Sequence, residues 1–490
     1  MPQHKPSTKE GAAAVSNSPE LLRTMGLFSL VVYGVGDMVG SGIYGTVGKA
    51  AGMLGNAVWL AFVVAMLAAV MTGLSYACLS SRYPRAAGAA YVTHRAYHFA
   101  FLSYLVGLTV TASGLTSMAT QTNVFADNLV AMFGGPWLLM VVLFLGAMTL
   151  LNFWGIRESM WMNLLCTSVE VGGLMFIIAV GLRFWGSVDY FETPRAVIDA
   201  QGQVVDHGLG VSMLLAGSVL TFFSFIGFED MLNVAEEVKE PRRTMPWGIL
   251  MALAIATVLY IGVAITAVSV VNHRELVANP APLSAIANRA APWLPARTFD
   301  LITMFAVANT MLINYIMGSR LLYGMARQGL LPAFLGRVHA KRATPHLAIL
   351  TLLVLVLILT TTGNLNVEHG WNNNGKLLIA LSADGDGVRT LASATGLLLL
   401  FSFMVVNTAL IVLKLRPGEP IGAFEVPIFV PALGVVINAT LIIARLVDRE
   451  ANARAPIIAG AIVLGVSVLY VLIRPKNVTE EALASIEQET

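Results

Sequence analysis

Runs of about twenty apolar residues recur along this chain of 490 residues. Each is long enough to cross roughly 30 Å of hydrocarbon as a helix, and no other feature narrows the possible folds so far. Twelve such runs are read, over residues 27–52, 57–81, 99–118, 137–154, 161–184, 213–235, 247–271, 301–322, 347–362, 391–413, 426–446 and 457–472. Hydrophobic residues make up 57% of the chain and charged ones only 12%, with a mean hydropathy of +0.74. That balance lies far from the composition of a soluble domain. The expected fold is therefore an all-α integral membrane protein with twelve transmembrane helices.

Residues 1–26 hold charges but no apolar stretch, so they read as a cytoplasmic N-terminal tail rather than a cleavable signal peptide. Residues 27–474 form the transmembrane domain, and 475–490 a cytoplasmic C-terminal tail. With the N-terminus inside, alternate connections collect most of the 30 Lys and Arg residues, among them Arg82, Arg85, Arg95, Lys239, Arg242, Arg243, Arg327 and Arg337. Basic residues resist translocation, so both termini are expected to be cytoplasmic, in a plasma or bacterial inner membrane.

Two spans carry residues that a plain helix avoids. The first contains Gly34, Gly36, Gly40, Ser41 and Gly42, and each glycine weakens a helix by roughly 1 kcal/mol relative to alanine. Small residues at this spacing also let membrane helices pack closely, but Gly-Ser-Gly in mid-span favours unwinding. The sixth span contains Phe223, Ser224, Phe225, Ile226 and Gly227, followed by Phe228, Glu229 and Asp230. If the chain is a five-plus-five inverted repeat, over about 27–185 and 213–413 with extra helices at about 426–472, these two spans correspond. Paired interruptions of corresponding spans point to a transporter site.

Unwinding supplies the chemistry. A half-helix starting near Gly42 offers free N–H groups and a positive dipole end to a carboxylate, and the ends of the preceding half-helices offer C=O groups to an ammonium or a small cation. Together they match an amino acid zwitterion, a small-molecule substrate or a close amine relative. Four acids also fall at membrane depth: Asp37, Glu170, Glu229 and Asp230. A charge at the centre of a spanning helix costs roughly 2.5–3.5 kcal/mol on insertion scales, so these carboxyls are candidates for proton or ion coupling. The other reading is structural, with protonated carboxyls bonded to backbone freed by the breaks. The aromatic rings beside the second break, Phe223 and Phe228 first, are candidate gates, and packing in the membrane core is their alternative.

Other classes find little support. The net charge of +2 is spread over loops and offers no footprint for nucleic acid. Cys78 and Cys166 lie inside spans, against a disulfide or a metal site. Motifs of metalloenzymes and of activated nucleophiles are lacking, so neither enzyme activity, cofactor nor metal is expected.

From about residue 22 to 474 the chain resembles the amino acid–polyamine–organocation superfamily of permeases. Gly40-Ser41-Gly42-Ile43-Tyr44 is similar to that family's first-helix motif, and Phe222 through Glu229 to its sixth-helix motif. Ala235-Glu236-Glu237-Val238-Lys239-Glu240-Pro241, Arg82-Tyr83-Pro84-Arg85, Ser319 through Arg327 and Phe424-Glu425-Val426-Pro427 follow in the family's order. The resemblance implies discontinuous helices 1 and 6, alternating access, and amino acid transport coupled to protons or run as exchange, and the extra carboxyls favour a cationic or amine-rich substrate. It places the substrate carboxylate on the amides of Ser41 and Gly42 beside Gly40. It places the amine on carbonyls of Met38, Phe223 and Ile226, with Phe225 and Gly227 alongside. Phe223 takes the outer gate. Glu170 stands where relatives of the cationic amino acid transporter type often have lysine, so the coupling of those relatives does not simply transfer. Around 127–136 there is no cysteine of the kind that joins animal relatives to a heavy chain, and no disulfide-linked glycoprotein partner is expected. A polyamine, organic cation or potassium transporter on the same fold is the alternative. The polar connection 362–390 reads as a lid or a tolerated insertion.

Overall fold

A computed structural model describes residues 21–473 apart from 196, 199–203, 280, 296, 369–386 and 448–454. Among the described residues eleven stretches are long and apolar enough to cross a membrane, and the shorter apolar helix His346–Thr361 is a twelfth. The first span is two helices, α1 (Leu27–Val39) and α2 (Ser41–Leu54), interrupted at Gly40 with ψ −155°. The turn Gly55–Ala57 leads into α3 (Val58–Arg82), followed by the short α4 (Gly88–Tyr97), α5 (Ala100–Phe133), α6 (Trp137–Trp154) and α7 (Ile156–Gly181). A small antiparallel hairpin, β1 (Val197–Ile198) and β2 (Val204–Asp206), precedes the sixth span.

That span is α8 (Val211–Phe222), a single 3-10 turn Phe223–Phe225, an extended Ile226, and a longer 3-10 stretch Asp230–Glu237. Next come α9 (Pro241–Val270), the short α10 (His273–Ala278) and α11 (Pro282–Ala290), and then α12 (Thr298–Arg327). The last helices are α13 (His346–Glu368), α14 (Gly387–Leu415), α15 (Phe429–Val447) and α16 (Ala455–Ile473). Pro241 opens α9, where its missing N–H costs nothing.

The element lengths follow from which faces are buried. α1 is enclosed by α7, α9 and α12, and it is buried almost throughout from Leu30 to Val39. At its centre a Cβ on Gly36 would meet the Thr167 hydroxyl at 2.2 Å, so only glycine lets α1 approach α7 this closely. Along α6, α15 and α16, by contrast, Leu138, Leu139, Val142, Val436, Ile443, Leu464 and Leu472 stay exposed. Apolar faces of this extent mark the surface presented to lipid.

Three expectations about boundaries need correction. The third span does not end at 118 but runs as α5 to Phe133. Its polar continuation contains Gln121 and Thr122, which are buried inside the bundle rather than exposed in a loop. The eighth span likewise continues past residue 322 to Arg327, and Glu236 and Glu237 belong to the 3-10 stretch of the sixth. Most of the 362–390 connection, including Asn372 to Asn374 and Asp384 to Asp386, lies outside the described residues, as do most of the N-terminal tail and the whole C-terminal tail.

Candidate functional site

The two interruptions meet. Gly227 has φ +130°, a backbone conformation that side chains rarely adopt, and a Cβ there would also press on the Asp37 carboxyl carbon at 3.0 Å. A Cβ on Gly42 would touch Ser224 Cα at 3.4 Å, and the hydroxyls of Thr46 and Ser224 lie 2.7 Å apart. At Gly40 a Cβ would overlap the Thr310 hydroxyl at 1.9 Å. The first break is therefore wedged against α12, and the second against the first.

Between them lies a cavity of about 180 Å³. Asp37, Met38 and Gly42 line it from the first span, and Phe223, Ile226, Gly227, Glu229 and Asp230 from the sixth. Thr116, Ser117, Thr120 and Gln121 of α5 and Thr310 and Asn314 of α12 supply hydroxyls and amides on the remaining walls. The volume is below the roughly 300–1,000 Å³ of sites for drug-sized ligands, which suits a small solute in this conformation.

The carboxyls are not equivalent. Glu229 accepts a hydrogen bond from the Gly227 N–H at 2.8 Å, so it satisfies backbone released by the break. Asp37 Oδ2 and Asp230 Oδ1 are buried without a protein partner among the described residues, and a buried polar atom of this kind calls for a water, an ion or a ligand. Glu170 does not line the cavity. It sits behind α1, where Asn309 Nδ2 donates to Glu170 Oε2 at 3.3 Å and to Thr167 Oγ1 at 2.9 Å. Asn163 Nδ2 in turn donates to Asn309 Oδ1 at 2.9 Å. This cluster packs on Gly36, one residue before Asp37.

The aromatic rings separate into two groups. Phe223 is 38% exposed, lines the cavity and reaches toward Gly396. Phe228 is fully buried, with its ring 5.7 Å from Tyr76 and 5.6 Å from Phe403. Phe225 is buried against Tyr260 at 5.0 Å. Neither Phe225 nor Phe228 is among the residues that line the cavity. Ser41 opens α2, and Gly40 forms the break without lining the cavity.

Tyr260 of α9 was not singled out from sequence. Its hydroxyl reaches two carbonyls, those of Met38 and, at 2.7 Å, of Ser224. The residue thus straps the end of α1 to the turn in the sixth span. A carbonyl oxygen has two lone pairs, so Met38 retains capacity toward the cavity.

A model of the family described as amino acid permease matches residues 25–469. The chain belongs to that family. Among curated relatives, the permease is 30% identical over 361 residues to cationic amino acid transporter 9, chloroplastic, of Arabidopsis thaliana, covering 68% of this chain and 60% of that protein. It thus spans less than two thirds of that relative's length. It is 27% identical over 369 residues to the branched-chain amino acid permease BcaP of Bacillus subtilis, covering 70% of this chain and 76% of the relative. A crystal structure of the Eremococcus coleocola manganese transporter, bound to an aromatic bis-isothiourea substituted compound, superposes with a TM-score of 0.57 at 14% identity. The superposition covers 96% of each chain, and at that identity it speaks for the fold of the permease alone. The family and these relatives are transporters, not enzymes.

Proposed function

We propose that this permease is a secondary active transporter of amino acids that works by alternating access around the cavity between Gly40 and Gly227, by proton-coupled symport or by exchange. The observation that carries the reading is that both chain interruptions open on one small cavity lined by three carboxyls. The amides of Ser41 and Gly42 at the start of α2 receive the substrate carboxylate, as helix N-termini do for anions. The carbonyls of Met38, Phe223 and Ile226 receive its amine, and Phe223 closes the cavity. Asp37 and Asp230 exchange protons with the cavity, and Glu229 holds the second break. Glu170 acts on Asp37 through the Asn309 cluster rather than by touching substrate. The two halves of the chain form an inverted repeat, and both termini face the cytoplasm of a plasma or bacterial inner membrane.

The relatives' names favour amino acids, cationic ones among them. A second reading rests on a specific observation: three carboxyls, Asp37, Glu229 and Asp230, line the cavity, and among the described residues no basic side chain lines it. That wall suits a polyamine, another organic cation or potassium. Uptake into proteoliposomes across a panel of amino acids, amines and potassium separates the two. Uptake or exchange of an amino acid is expected, and uptake of amines or potassium with none of any amino acid overturns the first reading.

A further inference from the structure

A second cavity lies at the ends of several helices rather than in the middle of the bundle. It measures about 770 Å³, and among the described residues six arginines line it, Arg23, Arg82, Arg85, Arg95, Arg242 and Arg243, against one acid, Glu240. Part of this wall is already built. Arg82 grips Glu425 with two hydrogen bonds of 2.7 and 2.8 Å, and Arg95 donates to Glu419 at 3.1 Å. Ser81 ties the wall together, donating to the Arg242 carbonyl at 2.9 Å and accepting from the Phe424 N–H at 3.0 Å. Arg23, Arg242 and Arg243 are exposed and form no ion pair among the described residues.

The surroundings indicate what these cations meet. Continuing along α9 from Arg243, Trp247, Met251, Ile255 and Val258 recur every three or four residues, and all are exposed. At that spacing they share one helix face, and on a membrane-crossing helix such a face touches lipid. Trp247 stands next to the arginines at the end of this stripe, the position tryptophan favours at a membrane interface. The cavity therefore lies at headgroup depth, with an apolar track leading into the bilayer.

We propose that this cavity holds the phosphodiester headgroup of an anionic phospholipid, with the acyl chains lying along the stripe from Trp247 to Val258. Guanidinium forks match phosphate oxygens two at a time, and clusters of four to eight basic residues beside a span attract anionic lipid. A free phosphate would meet the same arginines but would leave the stripe unused. This assignment is independent of what the permease carries.

The test compares melting temperatures of the purified full chain in nanodiscs of phosphatidylcholine, in nanodiscs that also contain phosphatidylglycerol, and in phosphatidylcholine nanodiscs with added inorganic phosphate. Phosphatidylglycerol is expected to raise the melting temperature, inorganic phosphate to leave it unchanged, and the double variant Arg242→Gln/Arg243→Gln to lose the rise. Should the double variant fail to fold, Arg23→Gln, outside the spans, is expected to lose a measurable part of the same rise. A rise of equal size in the foldable variants overturns the site. An equal rise with inorganic phosphate overturns the lipid as its occupant.

Discussion

Arg320 and Glu237 form a fully buried, two-pronged ion pair, with Nε and Nη2 of the arginine each 3.1 Å from a carboxylate oxygen. The Glu237 backbone carbonyl also accepts the N–H groups of Thr24 and Met25 at 3.0 Å. The pair thus fastens α12, the end of the sixth span and the entry to the first at one point. Breaking a buried pair from one side leaves an uncompensated charge, which costs about 3–5 kcal/mol. Glu237→Gln is expected to lower the melting temperature of the detergent-solubilised protein sharply. The paired apolar replacement Arg320→Met/Glu237→Leu is expected to recover much of the loss, and thermal denaturation of the three proteins checks this.

Gly227 offers a more local test. Alanine at φ +130° is strained by about 1–3 kcal/mol, and its methyl group would also push on Asp37. Gly227→Ala is expected to abolish uptake while leaving enough stability for purification. Uptake at the parent rate would mean that the second break does not shape the site.

Tyr260→Phe removes the one hydroxyl that joins the Met38 and Ser224 carbonyls while keeping the ring against Phe225. Leaving buried acceptors without a donor costs about 1–3 kcal/mol. The variant is expected to be destabilised by that amount and to transport at a reduced rate. Melting and initial-rate measurements on the same preparation would show both effects, and an unchanged rate would remove Tyr260 from the account.

These residues show how much was legible beforehand. The spans and both breaks could be read because apolar length and glycine are local signals, and Asp37, Glu229 and Asp230 were conspicuous as charges at depth. Tyr260 and Asn309 were not, because each acts on a partner far along the chain, and a tyrosine or asparagine in a span carries no mark of what it faces. Arg320 was visible in the motif from Ser319 to Arg327, but its pairing with Glu237, 83 residues away, was not. The length of α5 was hidden for a related reason. Its Gln121 and Thr122 resemble loop residues until the bundle that buries them is known. Phe223 and Phe228, five residues apart and equally aromatic, were separated only by packing.

Glu425, in the connection between α14 and α15, gives a dependence on acid. Burial opposes its ionisation, but hydrogen bonds from Arg82, Lys414 and the Gly422 N–H outweigh that and hold it down from 4.5 to about 2. The unfolded chain therefore binds this proton more readily, so the group stabilises the fold above about pH 4.5 and loses that contribution as pH falls toward about 2. The difference in melting temperature between the parent and Glu425→Gln is expected to shrink as the buffer is acidified through this range. A difference that holds constant or widens would show the pair to be unimportant.

Coupling is addressed by uptake measured against external pH for the parent, Asp37→Asn and Glu170→Gln. Asp37→Asn is expected to flatten the pH dependence. Glu170→Gln is expected to shift it, because Asn309 can still bond the amide. If both variants keep the parent's profile, neither carboxyl carries the proton.

The central claim is that the cavity between the two breaks recognises both ends of an amino acid at once. Competition against uptake of a transported amino acid in proteoliposomes tests it most directly, using its decarboxylated amine and its deaminated acid as competitors. Strong competition by the unlabelled amino acid and little by either truncated analogue is the predicted result; competition by the amine as strong as by the amino acid would contradict the account.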